Sequence, residues 1–238
     1  MGINSINFKK QPMKILSIDT AHGICSVTVA EDGVLIAAKN IHEQARQAEM
    51  LFLVIAELLT ENKLSYSDIK AVAANIGPGS FTGVRIGLAA ARGIALAAKI
   101  PIIGVTGFEA IKYAAFSLMK YENLLIAFDA KREQVFTKFY CNGFATEEEL
   151  MSGIDVLGLI KGNSQFDVAG DAAALITPHL NARNLAYNVI SELALPDAAT
   201  ISLAAFQKIN SGSYTANPNP LYIRPPDAKL PRKPAIIQ

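Results

Sequence analysis

Hydrophobic positions open the folded part of the chain in short, nearly unbroken runs. Lys14 to Asp19 (KILSID) is an apolar stretch closed by an acid, which predicts a buried strand. Cys25 to Ala30 (CSVTVA) is β-branched and predicts a second strand; Glu31-Asp32-Gly33 then makes a turn, and Val34 to Lys39 returns as a third. The same grammar recurs in Leu125 to Gly143, LIAFDAKREQVFTKFYCNG. Superposing Asp129 on Asp19 places Gly143 on Gly33 without a gap, so each half reads strand, Asp, turn, strand, Gly turn.

Between the halves the period changes. A helix is expected over Glu43 to Asn62, a strand over Ala71 to Asn75, a glycine loop with a second helix behind it, and a strand over Ile102 to Val105. Three meandering strands followed by alternating helix and strand predict a mixed sheet with helices packed on it. The second half continues with a strand at Phe166 to Ala169 and helices around Ala172 to Ile176 and Ile201 to Ser211. The expected organisation is an extension over 1–12, a first lobe over 13–115, a reduced second lobe over 116–215, and an extended proline-rich tail over 216–238.

The loop and helix GPGSFTGVRIGLAAARGIALAAK (Gly77 to Lys99) carry the sharpest question. Gly77, Gly79 and Gly83 are spaced one residue wider than the dinucleotide fingerprint, and no Gly-Lys-Ser/Thr follows. Ser80 or Thr82 is placed to cap the helix. An anion site at this helix start is physically reasonable, although no lysine stands beside it. Projected at the helical period, Gly87, Ala90, Ala91, Ile94, Ala97 and Ala98 form a small-residue face that admits close packing. Opposite stand Arg85, Arg92 and Lys99 with Leu88, Ala89 and Leu96, too apolar for a plain surface helix. The preceding helix shows the same surplus. Ala48, Leu51, Phe52, Ile55 and Leu59 are assigned to the core, leaving Met50, Leu53 and Val54 outside, rimmed by Arg46, Gln47, Glu57 and Glu61. An apolar centre with a charged rim is the anatomy of a protein–protein interface; the competing reading is that the second lobe or the tail covers it.

Composition changes little in this picture. Of 238 residues 51% are hydrophobic, enough for a large core, and the formal charge of +1 gives no overall pull toward nucleic acid or membrane. Cys25 and Cys141 stand far apart and fit a reduced, cytoplasmic protein. The N-terminus lacks the apolar core of a secretory signal. The run from Ile86 to Ile103 is broken by Arg92, Lys99 and Pro101 and is read as a buried helix plus a strand. The three histidines, His22, His42 and His179, have no zinc-hydrolase spacing. Asp19 and Asp129 are placed either to hold Mg²⁺ with phosphates, as in a sugar-kinase-like ATP phosphotransferase, or simply to cap turns. Glu147 to Glu149 reads as a solvated acidic run.

KILSIDTA, GPGSFTGVRIGLAAARGIA, FDAKREQVF and PLYIR together resemble the TsaB (YeaZ) family, over about Met13 to Pro231. The resemblance implies an α/β, duplicated actin-like ATPase/sugar-kinase (ribonuclease H-like) fold in two lobes. It also implies a non-catalytic subunit of the machinery that makes N6-threonylcarbamoyladenosine at position 37 of ANN-decoding tRNAs. Its partners would be a catalytic TsaD-type subunit, a TsaE-type ATPase and, in isolation, a second copy; tRNA would be met only through the complex, and no membrane is involved. ATP, threonylcarbamoyl-adenylate and metal would belong to the partner subunits, with no cofactor in this chain. In the catalytic relative a His-x-x-x-His metal motif follows the strand after the glycine-loop helix; the matching stretch here, VTGFEAI, offers Gly107 and Ile111. The expected interface is Arg46, Met50, Leu53, Val54, Glu57, Arg85, Leu88, Ala89, Arg92 and Leu96. Asp19, Thr20, Gly79 and Ser80 are the expected vestigial nucleotide contacts. Arg224, Lys229, Arg232 and Lys233 form a basic tail placed to touch tRNA or a partner, or simply to be solvated.

Overall fold

The computed structural model describes residues 12–42, 46–116, 118–160, 162, 165–215 and 217–224. Most of the expected N-terminal extension, and Lys229, Arg232 and Lys233, lie outside the described residues. The first half runs β1 (Lys14–Asp19), β2 (Cys25–Glu31), β3 (Val34–Ile41), α1 (Gln47–Glu61), β4 (Ile69–Asn75), α2 (Phe81–Ala98), β5 (Ile102–Val105) and α3 (Gly107–Ala115). The second runs β6 (Leu124–Asp129), β7 (Gln134–Cys141), β8 (Phe144–Ala145), β9 (Glu149–Ser152), β10 (Gln165–Ala169), α4 (Ala173–Ala182), β11 (Ala186–Val189) and α5 (Ala198–Ser211).

The sheets show the duplication directly. The first is ordered β3-β2-β1-β4-β5 and the second, read the same way, β8-β7-β6-β10-β11. In both, the opening hairpin is antiparallel and the next two neighbours are parallel. Each β-hairpin closes on two residues in the left-handed region, Asp32-Gly33 (φ 51° and 82°) and Asn142-Gly143 (φ 50° and 81°), as a type I′ turn demands. The gapless superposition, however, slips by one. Ile15 opposes Ala30 in the first hairpin and Leu124 opposes Tyr140 in the second. With the turns aligned, Asp129 therefore lies one residue beyond the place of Asp19, and Phe128 stands there instead. The duplicated actin-like arrangement is present, but the two aspartates are not its equivalent positions.

Helices α1 and α2 cover one face of the first sheet, with Leu51, Ile55, Leu58, Leu88 and Ala91 packed on Ile18, Val27 and Val72. The other face is covered by α3 and α5, through Ala110, Ile201, Ala204 and Ala205 against Ile15, Ala73 and Ile103. Helix α5 thus packs on the first sheet although it follows the second in sequence. Asp197 and Thr200 cap its start reciprocally, and Lys208 Nζ donates to Glu109 Oε1 of α3 at 2.6 Å. In the second lobe α4 covers one face and α3 reaches the other, so Phe108 and Ile111 of α3 are fully buried against Ile126 and Phe128. Helix α3 is thus the hub between the sheets.

The acidic run is partly structural. Glu149 pairs with Thr137 in the β9–β7 ladder, and Glu148 accepts from Lys138 Nζ.

Candidate functional site

The glycine loop meets the segment after β1 at very short range, and the reason lies in the residues. Ser80 is the N-cap of α2, its Oγ accepting from Gly83 N at 3.3 Å. Ser80 N donates to Ala21 O at 2.8 Å, and Thr20 Oγ1 donates to Gly83 O at 2.6 Å. A Cβ at Gly83 would lie 2.1 Å from Thr20 O; one at Gly87 would lie 2.7 Å from Thr20 Oγ1, and one at Gly79 2.8 Å from Ala21 O. These glycines let helix and loop backbones touch. Asp19 is fully buried, with Oδ1 accepting from Ala21 N at 2.8 Å and Oδ2 from Asn75 Nδ2 at 3.0 Å. Of the four expected nucleotide contacts, Asp19 and Thr20 are buried, while Gly79 and Ser80 lie at the surface. Beside them His22 sits between Asp19 (Nδ1 to Oδ2, 3.8 Å) and the Phe128 ring (centroids 5.8 Å), with no hydrogen-bond partner at either ring nitrogen among the described residues.

The outer side of the α1–α2 layer differs in detail from its expected composition. Val54 and Leu88 are each 1% exposed and belong to the core, whereas Phe52 is 52% exposed. The buried stripe of α1 runs through Leu51, Val54, Ile55, Leu58 and Leu59, an unbroken helical ridge turned slightly from the one expected. Leu53 (57%) and Leu96 (81%) are exposed as expected, as is Ala89, and Met50 is half-buried. Arg46 and Glu57 flank them, bonded to Glu49 (3.1 Å) and Lys39 (2.8 Å). Phe52, Ala56, Gly93 and Ala97 also face outward and escaped sequence reasoning. The helical period held the signal for them; its phase did not, because apolar residues surround both helices.

The arginines are engaged within the chain. Arg85 Nε donates to Tyr222 Oη at 2.9 Å, and its guanidinium lies 3.5 Å from the centroid of the Phe81 ring. Arg92 Nη2 donates to Pro218 O at 2.6 Å. Residues 217–224, which carry the PLYIR motif, thus strap the edge of α2, and Arg85 and Arg92 orient the tail in this structure. Arg224 is likewise engaged, with Ala130 O at 2.7 Å. The tail does cover part of the layer, and it stops at the arginines.

Elsewhere the chemistry is that of a core. Gly107 packs on Phe128 and Pro196, and Ile111 is fully buried. No group of three His, Cys, Asp or Glu side chains converges among the described residues. Burial, reinforced by Asp19, pushes the Cys25 thiol up to about 11, far from a reactive thiolate.

Residues 42–152 match the family described as "TsaD: tRNA N6-adenosine threonylcarbamoyltransferase". The chain is 38% identical over 128 residues to the tRNA threonylcarbamoyladenosine biosynthesis protein TsaB of Escherichia coli (strain K12), an alignment covering 54% of this chain and 55% of that protein. It is 28% identical over 231 residues to the TsaB protein of Haemophilus influenzae, covering 90% of this chain and 94% of the other. Among solved structures, YeaZ from Pseudomonas aeruginosa is similar with a TM-score of 0.70 at 25% identity, over 88% of this chain and 99% of that one.

Proposed function

This chain belongs to the TsaB/YeaZ family, and from that premise we propose that it works in tRNA threonylcarbamoyladenosine biosynthesis as a non-catalytic scaffold subunit. In this reading the outer faces of α1 and α2 receive a TsaD-type catalytic subunit, and a TsaE-type ATPase joins the assembly. ATP, threonylcarbamoyl-adenylate and metal are held by those partners. The isolated chain pairs with a second copy, and tRNA is met through the complex.

The observation that carries the reading is the exposure of Phe52, Leu53 and Leu96 on one helical layer, beside small Ala56, Ala89, Gly93 and Ala97. Large apolar side chains amid small ones let a partner's helices approach closely, and Arg46 and Glu57 at the margin supply orientation. An interface of ordinary size, on the order of 1,600 Å² in total, covers such a patch. Positions 107 and 111 carry Gly and Ile, which have no side-chain atom that binds a metal, and this favours the scaffold over a catalytic role. The buried, fully bonded carboxylate of Asp19 speaks against an autonomous phosphotransferase built on it.

The test is reconstitution with purified TsaD-type and TsaE-type subunits and tRNA. Modification should depend on this chain, and Leu53→Asp with Leu96→Asp should weaken binding to the TsaD-type subunit by about 30-fold or more, since a charge buried in an interface centre costs about 2 kcal/mol or more. Modification that proceeds equally without the chain sinks the scaffold role; undiminished binding by the double variant sinks the surface.

A further inference from the structure

The strap of residues 217–224 touches three parts of the molecule in sequence. Pro218 fills the space over Gly104 of β5, where an added Cβ would lie 2.3 Å from the Pro218 Cβ. Arg92 holds the carbonyl of Pro218, and Leu221 N donates to Ile76 O at 2.7 Å at the end of β4. Tyr222 then lies beside Phe81 with ring centroids 5.6 Å apart, its hydroxyl accepting from Arg85. Leu221 and Ile223 pack into the apolar cluster between the lobes. Arg224 finally crosses to the second lobe, where Nη2 donates to Ala130 O at 2.7 Å and to Gln134 Oε1 at 3.0 Å.

The two acceptors of Arg224 bracket an unusual piece of backbone. Lys131, Arg132 and Glu133 have φ of 64°, 58° and 58°, three consecutive non-glycine residues in the left-handed region. L-residues visit that region singly, because Cβ crowds the following carbonyl, and a run of three persists only when its surroundings hold it. Part of the hold is local. Lys131 N donates to Asp129 Oδ1 at 2.7 Å, Gln134 N to Lys131 O at 3.2 Å, and Ala130 N to Gln134 O at 2.9 Å. A further hold comes from outside, where the guanidinium of Arg224 bonds both ends of the turn's base.

We propose that the strap is a latch coupling the arginine edge of α2 to the left-handed turn at 131–133 of the second lobe, with Arg224 as the positioning residue at its far end. The turn keeps its shape because the strap is anchored at both ends. Whatever takes Arg85 or Arg92 away from the strap therefore loosens a turn in the other lobe. The latch is a property of the isolated chain and stands whether or not a TsaD-type subunit is the partner of α2.

Amide hydrogen exchange resolved to single residues tests this on the full chain, comparing wild type with Arg224→Ala, Arg224→Lys and Arg92→Ala. The amides of Ala130, Lys131 and Gln134 should exchange at least about ten-fold faster in Arg224→Ala, the opening lost with one or two hydrogen bonds, while β1 and α1 keep their protection. Arg224→Lys should fall between, since both bonds leave one nitrogen, Nη2, and an ammonium offers such donors without the rigid guanidinium plane that aims them. Arg92→Ala, which does not touch the turn, should also speed these amides. Unchanged exchange at the turn in Arg224→Ala overturns the positioning role, as does a uniform rise across the whole chain. A turn unaffected by Arg92→Ala overturns the coupling.

Discussion

Gly83→Ala is the sharpest test of why the glycine loop contains glycine. The added Cβ would lie 2.1 Å from Thr20 O, 3.1 Å from Thr20 C and 3.3 Å from Ala21 Cα, all backbone atoms of the segment just after β1, which Ala21 N fixes by donating to the buried Asp19 Oδ1 at 2.8 Å. Ordinary contact requires roughly 3.4 Å or more, so the start of α2 must retreat by about 1 Å. That retreat strains two bonds at once, Thr20 Oγ1 to Gly83 O (2.6 Å) and Ser80 N to Ala21 O (2.8 Å). Overpacking costs about 1–3 kcal/mol and each weakened bond about 1 kcal/mol, while alanine returns about 1 kcal/mol in helix propensity. The net is a loss of about 2–4 kcal/mol, or a fall in Tm of about 5–15 °C for a chain of this size. The control lies on the same helix. A Cβ at Gly93 meets nothing within 4 Å, so Gly93→Ala should keep the propensity gain and stabilise by about 0.5–1 kcal/mol. Thermal and urea unfolding followed by far-ultraviolet circular dichroism measures both. Equal shifts of the two variants, or a Gly83→Ala protein as stable as wild type, would refute the close-packing argument.

Three further outcomes follow from individual groups. Cys25 titrates near 8.5–9 when unfolded and at about 11 when folded, so the folded state binds more protons between those values and stability falls as pH rises through that window, by about 2–3 kcal/mol. Urea denaturation from pH 8 to 11 should show this loss in wild type and a flatter profile in Cys25→Ala; a wild-type profile that is already flat contradicts it. Glu133→Gly should stabilise by about 0.5–1 kcal/mol, because glycine adopts φ 58° without the Cβ penalty, and calorimetry showing destabilisation would count against strain in the turn. Asp197→Ala removes the acceptor for Thr200 N (2.8 Å) at the start of α5 and should cost about 1 kcal/mol in chemical denaturation; no change would mean that packing alone fixes the helix.

Much of the first sheet was legible because its signals are local. Asp32-Gly33 demands a hairpin, the alternation of β-branched residues demands strands, and β5 falls at Ile102–Val105 as expected. The candidate site was legible only as far as the helical period goes. On α1 and α2 that period marks an inner and an outer side, but apolar residues occur all round, so Phe52 and Val54 were exchanged and Leu88 was placed outside. Hydrophobicity reports burial, and a face awaiting a partner looks like a face against the core.

The sequence by itself determined the strands of the first sheet together with β6, β7 and β10, the glycine turns, the two-fold repeat of motifs and the family they resemble, since each rests on residues close together in the chain. Tertiary structure alone decided that α5 returns to the first sheet, that Phe128 rather than Asp129 stands at the place of Asp19, and that Arg85, Arg92 and Arg224 anchor the strap. These facts depend on contacts between residues as far apart as Ser26 and Ala198, whose Oγ and backbone N meet at 2.9 Å. An extended strap has no hydrophobic period to announce it, and a one-residue register shift alters no composition. Only the closing of the chain on itself makes such choices, by which apolar surfaces fit and which hydrogen bonds they leave satisfied.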